Sequence, residues 1–452
     1  MSHKSAEVVI CGAGILGVSA AYFLSRLGVR DIVLIDQQAP LTLTSDKSTE
    51  CYRNWWPGPG DAMVALMNRS ISLMEEMAAQ NGNLFHLNRR GYLYVSTAAD
   101  GAERLRAAAA EASGLGAGEL REHGPGAPGY RAHQPEGVGG PLGADLLDGA
   151  AARAAFPYLS ADTRAALHVR RAGWLSAQTF GMWMLEQAKA AGAEVVSGRL
   201  AAVEASAGAV SGVALEDRSQ IRTPVFINAA GPYLGQVSAL LGVDIPISNE
   251  VHLKAAFNDH LGALPREAPL VICADEQELD WAPEERELLA SDPQTAGLLE
   301  RLPSGAHTRP EGDRAAQSIL VLWDTHNEAV EPTFPIVEDP FYAELAVRGL
   351  ARVLPGMAAY ANRLPRPQVD GGYYTKTQEN RPLAGPLGVS GAYLIGAASG
   401  YGVMAAAGLA ELLAAHLTGG ELPGYAPLFE FSRYADPDYQ AQLAGWGESW
   451  QL

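Results

Sequence analysis

The pattern of apolar and polar positions predicts a strand, a helix and a second strand at the start of the chain. Residues 8–11 are all apolar, as expected for a short buried strand. Apolar residues recur at helical spacing from Val18 to Leu27, and residues 31–35 contain a second apolar run. This order predicts a strand–helix–strand unit at the beginning of the fold.

The same pattern predicts further elements along the chain. Helical spacing predicts helices at 61–80, 101–111, 178–191 and 402–417. Alternating or continuous apolar runs predict strands at 83–96, 194–197, 202–205, 213–216, 225–228, 248–257, 318–323 and 392–397. The stretch 112–150 is rich in Gly, Pro and Ala, which predicts connections rather than regular elements.

The strands at 248–257 and 318–323 are predicted to belong to a different sheet from the opening strands. Between them lies an acidic stretch interrupted by prolines, at about 274–316, with a surface helix predicted at 284–289. We interpret this stretch as a solvated insertion, with a lid over a site or a contact between subunits as the alternatives.

Three glycines lie between the first strand and the first helix. Gly12, Gly14 and Gly17 have the spacing G-x-G-x-x-G, and Asp36 ends the second strand. In a dinucleotide-binding unit the glycines allow a tight turn, admit a pyrophosphate and let helix and strand pack closely. The helix N-terminus faces the diphosphate, and the acid accepts the ribose hydroxyls. The pattern favours FAD or NAD over a turn without a ligand and does not choose between these cofactors.

Composition narrows the class of protein. The 452 residues are 48% hydrophobic and 19% charged, which indicates a globular protein of two or three domains. A net charge of −18 argues against nucleic acid and anionic membrane surfaces as partners. The three cysteines show no metal-ligand spacing, and no apolar run reaches the ~20 residues that span a bilayer. The start shows no signal-peptide pattern, so we expect a cytoplasmic protein without a metal.

Two later blocks carry a family resemblance. The strand at 225–228 leads into Ala229-Ala230-Gly231-Pro232-Tyr233, residues 371–386 have the sequence GGYYTKTQENRPLAGP, and residues 398–404 have the sequence ASGYGVM before a helix. With the opening glycine motif, these blocks resemble FAD-dependent amine oxidases and dehydrogenases of the D-amino-acid oxidase superfamily. That group includes glycine oxidase, sarcosine oxidase and dimethylglycine dehydrogenase. The resemblance covers nearly the whole chain, and the C-terminal block is its most specific part.

The resemblance implies an α/β fold with two domains. One is a discontinuous Rossmann-like FAD-binding domain, and the other is an α+β substrate domain built on a mainly antiparallel sheet. We expect the FAD-binding domain to comprise residues 1–84, 157–247 and 368–452, the last with a C-terminal tail. We expect the substrate domain to comprise residues 85–156 and 248–367, the second segment including the acidic insertion.

The resemblance also implies which residues bind FAD. They come from the glycine motif, the loop after the second strand, the middle of the chain and the head of the last long helix: Gly12, Gly14, Ile15, Leu16, Gly17, Asp36, Ser45, Ser48, Thr49, Val203, Ala230, Gly231, Gly400, Tyr401, Gly402, Val403 and Met404. Amides at the start of that helix would face the flavin edge that gains negative charge on reduction. Gly372 stands where sarcosine oxidases carry a flavin-attaching cysteine, so we expect non-covalent FAD.

Four residues are the predicted catalytic candidates. Tyr374, Lys376 and Tyr401 lie in the C-terminal motifs, and Arg53 lies in a loop where similar enzymes place an arginine near flavin or substrate. For Arg53, a phosphate contact or a structural ion pair is an alternative of equal weight to a role near flavin or substrate. Weaker candidates lie on or beside strands of the second sheet: His252, Lys254, Trp323 and His326.

Two positions depart from the family pattern. Sarcosine oxidases hold the substrate carboxylate with a lysine where this chain has Met404, and a thioether cannot pair with a carboxylate. Either a cation takes that role, from among Arg53, Lys254 and Lys376, or the substrate lacks a carboxylate. Leu322 stands near the position of a lysine implicated in oxygen activation, which weakens the assignment to the oxidases.

We predict an FAD-dependent enzyme that oxidises the CH–N bond of a small amine or amino acid by hydride transfer, after which the imine is hydrolysed. The electron acceptor is oxygen or a carrier, and the oligomeric state is open. The alternatives are a flavoprotein subunit of a larger complex and a flavin enzyme of another reaction type, such as an NAD(P)H-dependent hydroxylase.

Overall fold

The computed structural model describes residues 5–56, 58–125, 129–132, 140–293, 295–313, 315–325 and 328–446. Within these ranges the chain forms twenty strands and ten α-helices. In chain order the strands are β1 (Val8–Cys11), β2 (Ile32–Asp36), β3 (Cys51–Arg53), β4 (Tyr92–Ser96), β5 (Leu120–His123), β6 (Ala144–Asp148), β7 (Ala165–Val169), β8 (Ala172–Trp174), β9 (Glu194–Ser197), β10 (Leu200–Ser206), β11 (Ala209–Leu215), β12 (Gln220–Arg222), β13 (Phe226–Asn228), β14 (Ile247–Asn258), β15 (Leu270–Cys273), β16 (His307–Pro310), β17 (Ser318–Leu322), β18 (Gln368–Thr377), β19 (Leu383–Pro386) and β20 (Ala392–Gly396).

The α-helices are α1 (Ile15–Arg26), α2 (Ala62–Gln80), α3 (Gly101–Ala112), α4 (Gly149–Ala155), α5 (Ala177–Ala190), α6 (Leu234–Ala239), α7 (Pro283–Ser291), α8 (Tyr342–Ala351), α9 (Gly402–Thr418) and α10 (Pro437–Ala444). The candidate His326 lies outside the described residues, as do residues 447–452 of the predicted FAD-binding domain and parts of the predicted connections at 112–150.

A six-stranded sheet carries the opening strand–helix–strand unit. Its order is β19-β20-β13-β1-β2-β9, and all neighbours are parallel except β19 and β20. On one face Ile10 and Leu34 pack with α1, α5 and α9. On the other face Val9 and Val33 pack with a three-stranded meander of β10, β11 and β12. Burial on both faces explains why these strands are apolar runs instead of alternating sequences.

A nine-stranded sheet forms the second layer, in the order β18-β14-β17-β16-β15-β4-β7-β6-β5. Its neighbours are antiparallel except at β15–β4 and β5–β6. On β14 the side chains alternate between the faces of the sheet, as the pleat requires. Ala255 and Phe257 pack in a core with α8, whereas Glu250 and His252 line a cavity on the opposite face. The fold is the predicted α/β class with a mainly antiparallel second sheet.

Two sequence predictions of secondary structure were wrong in part. The strand predicted at 83–96 is confined to β4, because Asn83, His86 and Gly91 have positive φ angles that interrupt an extended chain. Phe85 and Leu87 are nevertheless buried, which explains the strand-like spacing. The stretch 112–150 contains β5, β6 and the start of α4, which are short elements among glycines and prolines, and β5 has Leu120 as its single apolar residue.

The acidic insertion is shorter than the sequence predicted. β16 lies inside the stretch 274–316 and pairs with β15 on one side and β17 on the other, so it belongs to the nine-stranded sheet. The predicted surface helix is present as α7. The insertion proper is therefore the segment between β15 and β16.

The domain boundaries stay a prediction. Two strands, however, pair in the sheet of one layer while they lie in segments predicted for the other domain. β7 pairs with β4 and β6 in the nine-stranded sheet, yet it follows the boundary predicted at 157. β18 pairs with β14 in the same sheet, yet it follows the boundary predicted at 368. Both strands therefore belong to the nine-stranded sheet, although the segments that contain them were predicted to belong to the FAD-binding domain.

Candidate active site

The glycine motif forms a tight turn between β1 and α1. Gly12 has a φ of 107°, and a Cβ there would lie 2.3 Å from the carbonyl oxygen of Ala229. A Cβ on Gly17 would lie 1.9 Å from the carbonyl oxygen of Gly12. Both distances are shorter than any real contact, so each position requires glycine.

Two polar side chains hold this turn from outside. The Asp36 carboxylate accepts a hydrogen bond from the Ala13 backbone N–H through Oδ2, at 2.8 Å. The Ser45 hydroxyl oxygen accepts the backbone N–H of Ile15, at 2.9 Å. The end of β2 and the loop after it therefore fix the start of α1, which explains how an acid and a serine join the glycine motif.

A cleft runs between the two sheets, and two helix N-termini open into it. The N-cap residues of α1 and α9 are Gly14 and Tyr401, and neither makes a side-chain capping hydrogen bond. The cleft is lined by ten residues predicted to bind the cofactor: Gly14, Ile15, Leu16, Ser45, Ser48, Thr49, Gly231, Gly400, Gly402 and Val403. The fold thus brings the predicted cofactor-binding segments together in this cleft.

These features fit a flavin dinucleotide. Helix N-termini favour negative charge, and the cofactor has a diphosphate and a ring that gains negative charge on reduction. Gly14 and Gly400 offer backbone without a side chain, so a ligand can approach closely. The residues present could hold the diphosphate at α1 and the ring near α9.

The remaining predicted cofactor residues lie around the cleft in different ways. Gly12 and Gly17 support the turn behind it, and Ala230 lies between the lining residues Ala229 and Gly231. Val203 lies on β10 with its side chain buried against the six-stranded sheet, away from the described cleft lining. Their contacts with the cofactor stay predictions.

A second cavity, here called the chamber, adjoins the cleft and has a volume of about 360 Å³. The cleft and the chamber share four lining residues, at which they meet: Thr49, His252, Tyr374 and Gly400. Strand alternation sends side chains of β4, β14, β15, β16 and β18 to the same face, so residues far apart in sequence meet there. All four predicted catalytic residues, Arg53, Tyr374, Lys376 and Tyr401, line the chamber, as does Met404.

Four charged side chains form a network on the chamber wall. Lys376 Nζ lies 2.6 Å from a carboxylate oxygen of Glu250. His252 lies between two acids, with Nδ1 2.8 Å from Asp324 as an ion pair without hydrogen-bond alignment, and Nε2 3.4 Å from Glu250. The Tyr374 ring stacks on the His252 ring, with centroids 3.5 Å apart.

The network fixes the charge of its members. Burial lowers the pKa of His252, but the carboxylates of Asp324 and Glu250 outweigh burial and raise it to about 9. Burial raises the pKa of the Glu250 carboxyl, but hydrogen bonds from His252 and Lys376 outweigh burial and hold it below its usual value. Near neutral pH His252 is therefore an imidazolium and Glu250 a carboxylate.

Arg53 lies in an aromatic environment at the side of the chamber. Its guanidinium is over the Trp56 ring, 4.9 Å from the centroid, and 5.8 Å from the centroid of Tyr92. Its Nε donates to the Trp55 carbonyl oxygen, at 3.1 Å, which fixes the plane of the group. A buried, oriented guanidinium is suited to bidentate binding of a carboxylate.

The other motif residues have structural bonds. Tyr401 donates its hydroxyl to the Asn380 carbonyl oxygen, at 2.7 Å, so it offers the chamber its ring and not a free hydroxyl. Ser70 on α2 donates to the Met404 carbonyl oxygen, at 2.5 Å, which ties the first turn of α9 to its neighbour. Met404 thus presents an apolar side chain to the chamber.

Two weaker candidates do not line the chamber. Trp323 is buried, and its indole N–H donates to the Pro303 carbonyl oxygen, at 3.1 Å. Lys254 donates to the carbonyl oxygens of Asp46 and Ser48, at 3.3 and 3.0 Å, and so holds the loop of the cleft. Lys254 shares the predicted strand face with His252, but its ammonium is directed to this loop.

The acidic insertion is part of the site. Glu276, Pro303 and Ser304 line the chamber, so the interpretation of the insertion as a solvated decoration was wrong at its two ends. Its middle still carries the exposed helix α7. Proline punctuation and acidity are typical of a solvated surface, and they conceal that both ends of the segment return to the sheet.

Sequence reasoning missed three chamber residues, Glu250, His307 and Asp324. Glu250 follows the alternation that placed His252 and Lys254 on one face, so the signal was present. His307 was hidden because β16 was assigned to the insertion. Asp324 follows the end of β17, where no local pattern distinguishes it.

Comparison with known proteins identifies the family. The family described as DAO: FAD dependent oxidoreductase matches residues 7–416. The chain belongs to this family. It is therefore an FAD-dependent oxidoreductase.

Solved structures share the fold at low sequence identity. L-proline dehydrogenase from P. horikoshii superposes with a TM-score of 0.72 at 17% identity, covering 96% of this chain and 98% of that chain. Glycine oxidase from Geobacillus kaustophilus gives 0.72 at 14%, covering 95% and 99%. Iminodiacetate oxidase from Chelativorans sp. BNC1 gives 0.69 at 17%, covering 94% and 98%. These likenesses show the two-sheet DAO architecture.

A curated relative matches over a short region. The mitochondrial pyruvate dehydrogenase phosphatase regulatory subunit of Mus musculus is 36% identical over 81 residues, which are 18% of this chain and 8% of that protein. The aligned region is thus a small part of the relative's length.

The part of the chain that the structure describes was searched for metal-binding groups of side chains and for membrane-spanning helices. Across those residues no group of three or more His, Cys, Asp or Glu side chains could hold a metal ion. None of the described helices has the length and apolar character needed to cross a bilayer. Cys11, Cys51 and Cys273 are buried free thiols.

Proposed function

We propose that this DAO-family protein oxidises the CH–N bond of a small amine or amino acid. The observation that carries the proposal is the chamber, which opens to the cleft at Thr49, His252, Tyr374 and Gly400. Its volume of about 360 Å³ lies at the small end of ligand sites, which span roughly 300–1,000 Å³. The three structural relatives are named for proline, glycine and iminodiacetate, all small CH–N compounds.

The chamber supplies what amine oxidation requires from the protein. Bound FAD supplies the hydride acceptor, which is chemistry that the side chains lack. Tyr92, Tyr374, Tyr401 and Met404 give part of the chamber wall an aromatic and apolar lining, which disfavours a charged ammonium beside it. A neutral amine is the form that can lose hydride from its adjacent carbon.

Arg53 is the proposed partner for a substrate carboxylate. The two lysines considered with it have other roles, since Lys376 pairs with Glu250 and Lys254 binds carbonyl oxygens of the cleft loop. Arg53 lines the chamber directly, with its guanidinium between aromatic rings. Its position supports an amino acid over a simple amine.

The direct test mixes the anaerobic holoenzyme with a panel of primary and secondary amines and amino acids. We expect at least one to bleach the visible flavin band, and amino acids to do so faster than their decarboxylated analogues. Bleaching by none of them would contradict the proposal. Rapid reduction by NADPH instead would favour the hydroxylase alternative.

One comparison supports a second candidate function, that of a flavoprotein subunit of a larger complex. The short match in mouse is named as a regulatory subunit. Mass measurement in solution together with turnover by the isolated chain distinguishes the two: a free-standing enzyme reduces its flavin with substrate on its own, and a subunit requires its complex.

Non-covalent FAD is part of the proposal. Gly372 lines the cleft where sarcosine oxidases carry the cysteine that attaches flavin, and a Cβ there would make a tight contact of 3.3 Å with the Thr44 Cα. Acid precipitation of the holoenzyme should release all the yellow colour into the supernatant. The electron acceptor, oxygen or a carrier, is identified by whether the reduced protein is reoxidised by air.

A further inference from the structure

We propose that His307 is the proton acceptor of the chamber, and that its Nε2 takes the proton which a substrate ammonium group must lose before its carbon is oxidised. The inference rests on the proposed oxidation of a CH–N bond. It gives a chemical role to a residue that the sequence pattern missed.

The strand register directs His307 into the chamber. β16 lies between β15 and β17, and His307 is opposite Ile272 on one side and Leu322 on the other. Opposite residues in an antiparallel pair project from the same face of the sheet. Ile272 and His307 both line the chamber, and Leu322 on the next strand lines the cleft, so the His307 ring lies on the chamber wall one strand away from the cleft lining.

A backbone contact fixes the tautomer of His307. Its Nδ1 lies 2.7 Å from the Gly305 carbonyl oxygen. A carbonyl oxygen only accepts hydrogen bonds, so Nδ1 carries the hydrogen and the neutral ring has its lone pair on Nε2. Across the described residues Nε2 makes no hydrogen bond, and the lone pair is available to a guest in the chamber.

The surroundings keep the ring neutral. Burial lowers the pKa of His307, and the positive charges of Arg53 and Arg309 lower it further. The Gly305 carbonyl and the Asp324 carboxylate act in the opposite direction without restoring the ordinary value. These charged groups come from β3, from β16 itself and from the segment after β17, and together they leave an uncharged acceptor near neutral pH.

The other titratable groups of the described chamber wall are already engaged. His252 has a carboxylate near each ring nitrogen and a pKa of about 9, so it is an imidazolium without a lone pair. Its two acids are paired in turn, Asp324 with His252 and Glu250 with Lys376.

The phenols and the thiol of the wall are poor acceptors as well. Burial raises the pKa of each, so all keep their protons near neutral pH: Tyr92, Tyr374, Tyr401 and Cys51. Glu276 is exposed at the rim and pairs with Arg301, at 3.4 Å. His307 is therefore the buried acceptor that remains on the described wall.

The proton transfer is balanced as follows. The N–H bond of the substrate ammonium breaks, its electron pair stays on nitrogen, and the proton bonds to Nε2 of His307 to give an imidazolium. The neutral amine is the form whose adjacent carbon could release its hydrogen with two electrons to bound FAD, which would leave an iminium product. Burial and the two arginines disfavour the ammonium and the imidazolium alike, because both are cations, so burial itself does not oppose the transfer.

The test compares wild type with His307→Gln, which retains a hydrogen-bonding side chain but cannot take up a proton. In anaerobic mixing with a reactive amine, we expect the limiting rate of flavin reduction at pH 7 to fall on the order of 10²-fold. The ratio of the two rates should shrink as pH approaches the pKa of the free amine, because the substrate then enters already neutral. His260→Gln, which changes an exposed histidine in the same layer, should match wild type at every pH.

The pH profile separates a proton acceptor from a structural residue. A rate ratio that stays constant with pH, or one within twofold of unity at pH 7, would overturn the inference while the proposed function stands. If no amine reduces the wild-type flavin, the proposed function and the inference both fail.

A second readout does not depend on turnover. In holoenzyme labelled with ¹³C at the histidine Cε1, the His307 resonance is identified by its loss in His307→Gln. We expect it to titrate below the ordinary value of ~6.5, whereas the His252 resonance titrates near pH 9. An imidazolium at position 307 at pH 7 in the free holoenzyme would overturn the inference.

Discussion

The cleft and the chamber share a wall, but they are built from different parts of the polypeptide. The cleft is made mostly of backbone, with glycine turns and two helix N-termini facing a common space. The chamber is made mostly of side chains that project from five strands of the nine-stranded sheet, from β3 and from the loops beside them. A backbone site is encoded by local sequence, whereas a side-chain site depends on which distant strands become neighbours.

This difference explains what the sequence could predict. Gly12, Gly17 and Asp36 are within one strand–helix–strand unit, where spacing alone determines their arrangement. The fold class followed from the same unit and from the C-terminal motif. The elements β1, α1, β2 and α9 have clear apolar periodicity and were predicted close to their observed bounds, whereas β5, β6 and β16 were not predicted.

The chamber could be predicted only in part. Arg53, Lys376 and Tyr401 were found because they belong to motifs, and they do line it. The network of Glu250, His252 and Asp324 depends on the pairing of β14 and β17, which no local pattern encodes. His307 required knowing that β16 returns to the sheet from an acidic segment.

The largest expected effect comes from the turn of the cleft. Gly17→Ala places a methyl group 1.9 Å from the Gly12 carbonyl oxygen, so β1 and α1 must separate. We expect loss of bound FAD, with a flavin-to-protein ratio below a tenth of that of wild type. Gly297→Ala is the matched control, because nothing lies within 4 Å of a Cβ there. Retention of FAD by Gly17→Ala would contradict the proposed role of the turn.

The chamber network should have a pH signature in stability. The folded-state pKa of His252, about 9, lies above its ordinary value of ~6.5, so its contribution is complete below pH 6.5 and is lost as pH rises through 9. We expect wild type to exceed His252→Gln in unfolding free energy by about 3 kcal/mol more at pH 6 than at pH 10. Denaturant unfolding of the holoenzymes measures this difference. A difference that is constant with pH would show that the imidazolium is absent.

Arg53 should determine the affinity for the substrate but not the affinity for FAD. In Arg53→Gln we expect KM for a reactive amino acid to rise about 30-fold, equivalent to about 2 kcal/mol for charged hydrogen bonds. KM for the decarboxylated amine should hardly change, and neither should the FAD content. The exposed Arg363→Gln serves as the control. Equal changes for the two substrates would contradict carboxylate binding by Arg53.

The smallest expected effect is a loss of FAD affinity that distinguishes a cleft residue from a chamber residue. Asp36→Ala removes the acceptor of the Ala13 N–H and the predicted partner of the ribose, so FAD should bind about tenfold more weakly, or ~1.4 kcal/mol. Lys376→Ala, in the chamber, should keep wild-type affinity for FAD. Titration of the apoproteins with FAD measures both, and equal losses would contradict the assignment of these residues to separate sites.

The central claim is that the redox ring of FAD lies where the cleft meets the chamber. An experimental structure of the holoenzyme tests it directly. We predict the ring in contact with Thr49, His252, Tyr374 and Gly400, with one face open to the chamber that contains Arg53 and His307. A ring seated elsewhere, or one closed off from that chamber, would contradict the account.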